Sequence, residues 1–154
     1  MSKSKSESVI TQSLLDRLSD QDEWPTRRDA AMRMLRESIK RDVEWLLNTR
    51  RPRIAEIEEY EKAANSVINY GLPDLMSFEG AFGRDHNALL AAMVKVLRIF
   101  EPRILEPKVF LMRTDLLGRS LRFHVEGRIQ FESMEEEIQF DTVLELLNGE
   151  YEVK

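Results

Sequence analysis

Cysteine is absent from this chain of 154 residues. That removes disulfide scaffolds, thiolate zinc centres and cysteine nucleophiles, and it fits a reducing cytoplasm. Histidine is scarce: His86 stands near an expected helix start and His124 on the polar side of an expected strand, with no spacing that links them as metal ligands. No apolar run approaches the ~20 residues a membrane-spanning helix needs, so direct membrane insertion is not expected. The opening Met1-Ser2-Lys3-Ser4-Lys5-Ser6-Glu7-Ser8 lacks the apolar core of a signal peptide. Serine nucleophile elbows and phosphate-binding glycine loops are missing as well. A net charge of -5 disfavours a general nucleic-acid binder. With 28 acidic residues, carboxylate pairs abound by chance. Glu101 is the best single candidate for acid catalysis, yet Arg103 beside it favours the charged carboxylate, the wrong state for a general acid. The sequence reads as non-enzymatic, with no cofactor and no metal, and directs the search to an interaction surface.

What is present is an ordinary composition, 42% hydrophobic and 33% charged, long enough for one domain with one core. Residues 1–8 are too polar to bury and read as a disordered tail. Val9-Ile10 and Leu14-Leu15-Leu18 fall at helical spacing, marking residues 9–24 as an amphipathic N-terminal arm. It either folds onto its own core or docks its apolar stripe on a partner. Residues 25–154 then form a single domain. Thr26-Arg27-Arg28-Asp29 can act as a capping box. Met32, Leu35, Ile39, Val43 and Leu46 follow as a core-facing helical stripe, widened by Trp45 and Leu47. Asn48 is a plausible left-handed cap, and Arg50, Arg51 and Arg53 match the negative end of the helix dipole better than they suggest a phosphate site. Ile54 to Asn65 is acidic and weakly helical. Val67 to Leu75 is apolar and reads as a buried loop. Ser77 to Arg84 carries Gly80 and Gly83 around Phe82, and Asp85 can cap the next helix. In that helix Leu89, Met93, Val96 and Phe100 share one side, broadened by Leu90, Val94 and Leu97, a face wide enough to be pressed between a sheet and other helices.

At Arg98-Ile99-Phe100-Glu101-Pro102-Arg103-Ile104 the pattern changes from helix to period two. Proline at 102 stops the helix by Glu101, and residues two apart in the extended segment that follows share a side, so Glu101 and Arg103 can pair. A second such dipeptide, Glu106-Pro107, precedes a short strand at Val109 to Met112. Asp115 to Gly118 is a turn. Leu121, Phe123, Val125, Ile129 and Phe131 then alternate with polar residues, and Gly127 among them indicates a bulge or a close backbone approach. Ile138, Phe140, Thr142, Leu144 and Leu146 alternate in turn; Asn148-Gly149 is a tight-hairpin signal before Tyr151 and Val153. The fold class is therefore α+β: N-terminal helices and a central helix packed on an antiparallel meander of about four strands. Its last strand is short and lies at an edge, a place for a strand from another chain.

Four phrases, taken together and in order, resemble the type VI secretion baseplate subunit TssE. They are Leu14-Leu15-Asp16-Arg17-Leu18, Asp42-Val43-Glu44-Trp45-Leu46-Leu47-Asn48-Thr49-Arg50, Val67-Ile68-Asn69-Tyr70-Gly71-Leu72-Pro73-Asp74-Leu75 and Phe100-Glu101-Pro102-Arg103-Ile104. That family is similar to the baseplate wedge protein of contractile-tailed phages. The resemblance covers about residues 9–153 and implies a structural part of a contractile injection machine. It would work in the bacterial cytoplasm at a membrane-docked baseplate, as a hetero-oligomer with sheath subunits and other wedge subunits, linking the wedge to the first sheath layer by strand addition. The family's Glu-Pro-Arg motif falls on Glu101, Pro102 and Arg103, which would contact the partner. The arm with Leu14, Leu15 and Leu18 would dock on other wedge subunits. An anti-adaptor that blocks sigma-factor degradation shares the fold, so a soluble regulatory binding module is the alternative. The acidic insert Glu56 to Glu61 and the glycines near Phe82 match nothing in the family pattern. Within the chain itself, the competing role for Glu101 and Arg103 is a buried pair that fixes the helix-to-strand turn, together with Arg50 or Arg51.

Overall fold

The computed structural model describes Leu18 and residues 28–73, 86–114, 120–131, 134–145 and 150–153. Helix α1 (Arg28–Asn48) forms on the stripe Met32, Leu35, Ile39, Val43 and Leu46, and all five side chains are buried. Leu47 joins them. Trp45 does not: it lies at the surface, with the Arg41 guanidinium 5.2 Å from its ring centre. Nor does Asn48 take the left-handed conformation; among the described non-glycine residues only Glu56 and Glu106 have positive φ. Thr49 closes the helix end instead, its backbone N–H at 3.0 Å and its hydroxyl at 2.7 Å both donating to the Trp45 carbonyl.

The chain then makes a loop that returns to its start. A 3₁₀ turn (Ile57–Glu59), a one-turn helix α2 (Glu61–Ala64) and a second 3₁₀ turn (Val67–Asn69) lead to Leu72. There Arg51 N–H donates to Leu72 O and Leu72 N–H donates to Thr49 O, both at 2.9 Å. This approach requires Gly71, whose φ is 101° and whose missing Cβ would sit 2.3 Å from the Thr49 carbonyl oxygen. The expected buried loop is thus only half buried. Asn69 and Leu72 are inside, but Val67 is 82% exposed and Ile68 also faces out. A 3₁₀ turn spreads three successive side chains evenly around its axis, so they cannot all face the core.

Helix α3 (His86–Phe100) buries Leu89, Met93, Val96 and Leu97, with Leu90, Val94 and Phe100 half-buried beside them. It packs along the first of four antiparallel strands, β1 (Ile104–Thr114), β2 (Ser120–Phe131), β3 (Met134–Glu145) and β4 (Glu150–Val153), joined in that order. One sheet face meets the helices: Leu121, Phe123, Val125, Ile129 and Phe131 on β2, Ile138, Phe140 and Thr142 on β3, and Val153 on β4 are all buried.

Strand β1 differs from expectation. It does not begin at Val109 but runs straight through Glu106-Pro107, which fall without register partners between the pairs Leu105↔Arg128 and Lys108↔Glu126, Glu106 exposed and Pro107 buried. The proline is tolerated because β1 is an edge strand and the bulge leaves its missing N–H outside the ladder. Opposite the bulge stands Gly127, where an added Cβ would lie 2.3 Å from Ile104 Cγ2. The glycine exists to admit that close approach.

Several expectations fall outside the described residues: the tail 1–8, Leu14 and Leu15 of the arm, the Thr26 cap, Ser77 to Arg84, Asp85, the Asp115 to Gly118 turn and Asn148-Gly149.

Candidate interaction site

Two features form the candidate site: the turn between α3 and β1, which carries Glu101-Pro102-Arg103, and the margin of the sheet, where the stretch unaccompanied among the described residues lies on β3 and not on the last strand as expected. The Glu101 N–H makes the last helical bond to Leu97 O at 2.9 Å. Ile104 N–H then donates to Glu101 O at 3.1 Å, closing a four-residue turn with Pro102 in its second position, where a fixed φ is favoured.

The turn is held from within. Arg103 grips both Glu101 oxygens, Nε to Oε1 and Nη2 to Oε2, each at 2.5 Å. It also donates to Ser38 Oγ at 3.0 Å and to Asp42 Oδ2 at 2.6 Å, both on α1. Glu101 is only 3% exposed, Arg103 is half-buried, and Pro102 faces solvent. Burial disfavours charge on Arg103, but the hydrogen bonds and attraction of Glu101 and then Asp42 hold its pKa above the ordinary arginine value. Tyr70 packs edge-on against Phe100, ring centres 5.3 Å apart, and burial followed by the charges of Asp42 and Glu101 pushes its phenol up.

Glu101 and Arg103 do pair across the turn. Their further partners are Ser38 and Asp42, in the place that Arg50 or Arg51 was expected to take. Arg50 donates to Leu47 O at 3.2 Å, and Arg51 donates to Asn69 Oδ1 at 3.0 Å and lies 3.8 Å from Glu58. Glu58 also bonds Lys95 on α3 at 2.7 Å, and that bond holds its carboxyl below the usual range. Glu58 of the acidic insert therefore meets α3 through a surface ion pair, a contact of small energetic weight. A signal for Ser38 and Asp42 existed: they stand four apart on α1, polar neighbours on one side of the helix next to its apolar stripe. Leu18 is helical and 73% exposed.

At the sheet margin, β2 and β3 pair without interruption from Ser120↔Glu145 to Phe131↔Met134, whereas β4 pairs only with Thr142–Glu145. Among the described residues no strand lies beside Met134–Asp141 on the side away from β2. The solvent-facing side of the sheet is laced by polar contacts: His124 Nδ1 lies 2.6 Å from Asp141 and its Nε2 3.4 Å from Glu126, while Arg128 forms ion pairs with Glu106 and Glu135 at 2.7 Å each. Phe110 and Met112 of β1 are exposed on this side. No group of three or more metal-ligating side chains occurs among the described residues, and no described helix is long and apolar enough to cross a membrane.

Residues 33–134 match the family model of the baseplate wedge protein gp25. The match spans well over half the chain, from the first turns of α1 to the first residue of β3. No curated protein and no solved structure matches the chain.

Proposed function

This chain belongs to the family of the baseplate wedge protein gp25, structural components of phage-tail-like baseplates, and from that premise we propose that it joins the baseplate wedge of a type VI secretion machine to the first layer of the contractile sheath. The observation that carries the reading is the step between β3 and β4, which leaves a length of regular strand without a partner among the described residues. Backbone pairing with an incoming strand supplies affinity, and side chains on alternate positions supply register.

The Glu101-Pro102-Arg103 turn is the second contact. Both Glu101 oxygens are engaged inside the fold, so Glu101 and Arg103 act as positioning residues that present Pro102 at a fixed place on the surface. The arm, with Leu14, Leu15 and the exposed Leu18, docks on other wedge subunits. The complex works in the bacterial cytoplasm, against a membrane-docked baseplate.

Co-purification from cells that build the machine tests this reading. Sheath and wedge subunits should be recovered with the chain, and recovery with a response regulator instead would overturn it in favour of a soluble regulatory module. Since the chain has no cysteine, Gln139→Cys gives one reactive thiol on β3, which should cross-link to a sheath subunit in assembled machines.

A further inference from the structure

The two margins of the sheet are not equivalent. β1 carries Pro107, which has no amide hydrogen to donate, and its register with β2 shifts twice, between Leu105 and Lys108 and between Leu111 and Arg113. Prolines and bulges of this kind blunt an edge against pairing. β3 has neither, and along Met134–Asp141 its outer side is clear of described strands.

The charges that this margin itself carries are all acidic. From Met134 to Asp141 the sequence has four carboxylates and no lysine, arginine or histidine. Glu135, Glu137 and Asp141 stand on the solvent side, across from Gln130, Arg128 and His124 of β2. Like charges directly opposite each other on paired strands are destabilising, so a second copy of this chain is a poor occupant of the edge and a cationic strand a good one.

Basic side chains already reach it: from β2, Arg128 lies 2.7 Å from Glu135 and His124 lies 2.6 Å from Asp141, and a third comes from α1. Arg36, from α1, lies 3.2 Å from Glu136 Oε2 and donates to the backbone carbonyl of Glu137 at 3.4 Å. A guanidinium on a main-chain acceptor imitates what the N–H groups of an added strand would do.

We propose that Met134–Asp141 accepts an extended segment of another chain in which lysine or arginine alternates with apolar residues, and that Arg36 covers this edge until the segment displaces it. The inference rests on the strand-accepting reading above and adds the partner's chemistry and the residue that guards the site. The partner's cations face Glu135, Glu137 and Asp141, and its apolar side chains extend the buried row of Ile138 and Phe140.

The test uses the full chain and three peptides of about eight residues: alternating lysine and valine, alternating glutamate and valine, and the lysine peptide N-methylated at every second residue so that charge is kept and ladder donors are lost. The unmodified lysine peptide should bind and slow amide exchange at Met134–Asp141, and the other two should not. Arg36→Ala should tighten that binding by about three- to tenfold, the range set by releasing one side-chain hydrogen bond to the backbone. Its thermal unfolding should stay near the parent's, because the ion pair it loses is exposed. If no peptide slows exchange at β3, the strand-accepting reading fails and this inference with it. If both charge types slow it equally, that reading stands and the selection for cations is overturned. A methylated peptide that binds as tightly as its parent shows attraction without pairing and also overturns the proposal. An Arg36→Ala chain that binds no tighter overturns the guarding role.

Discussion

Arg103 ties the α3–β1 turn to helix α1 through Asp42, Nη2 to Oδ2 at 2.6 Å, while the same guanidinium engages both oxygens of Glu101. One planar side chain thus joins a helix end, a strand start and a second helix. Removing it strands a carboxylate that is almost wholly buried. Arg103→Ala should cost about 3 to 5 kcal/mol, a drop in Tm of roughly 6 to 20 °C for a domain of this size. Arg103→Lys should recover only part of this, since an ammonium cannot reproduce the two-pronged grip. Thermal unfolding of the two variants checks the order, and equal melting of parent and Arg103→Ala would contradict it.

Gly127→Ala places a methyl group 2.3 Å from Ile104 Cγ2 and 3.3 Å from the Leu105 carbonyl oxygen. Overpacking at such a site should cost about 1 to 3 kcal/mol. The clash is specific to one methyl, so adding Ile104→Ala should make the double variant less destabilised than the sum of the singles, read as a coupling energy from denaturant unfolding. Strict additivity would show that the bulge gives way instead.

Thr142 is fully buried on the inner face of β3, and its hydroxyl finds no hydrogen-bond partner among the described residues. Thr142→Val keeps the shape and removes the unsatisfied group, so it should stabilise the fold by about 1 kcal/mol or more. Chemical denaturation should show a higher midpoint with an unchanged slope. A lower midpoint would mean that the hydroxyl has a partner in solution.

Tyr70 should titrate above the ordinary tyrosine value of 10.0, because burial and then the charges of Asp42 and Glu101 oppose the phenolate. A folded pKa raised above the unfolded one gives stability that is fully present below about pH 10 and lost as pH rises through the folded value. Phenolate absorbance should rise late in the folded chain, Tyr70→Phe should flatten the alkaline fall in stability, and Asp42→Asn should bring the titration part of the way back.

Local signals were legible in the sequence and long-range ones were not. Pro102 announced the end of α3, which stops at Phe100, and the alternation from Leu121 to Phe131 announced β2 and its buried face. Both rest on chemistry within a few residues. Glu106-Pro107 misled, since a proline reads as a stop unless the partner strand can take up the bulge, and Gly127 does so from about twenty residues away. Ser38 and Asp42 were missed because they meet Arg103 from 65 and 61 positions away. No periodicity within α1 reports a partner on another element. Val67 and Ile68, apolar yet exposed, show the same limit: a short apolar run states a preference for burial but not whether the local geometry can grant it.

Pro107 and its bulge have a consequence for growth. A sheet closed to neighbours on one margin can stand first in a row of interlocked sheets but cannot stand in the middle, because a middle member needs both margins free. The β1 margin therefore works against stringing copies of this chain edge to edge into a fibre.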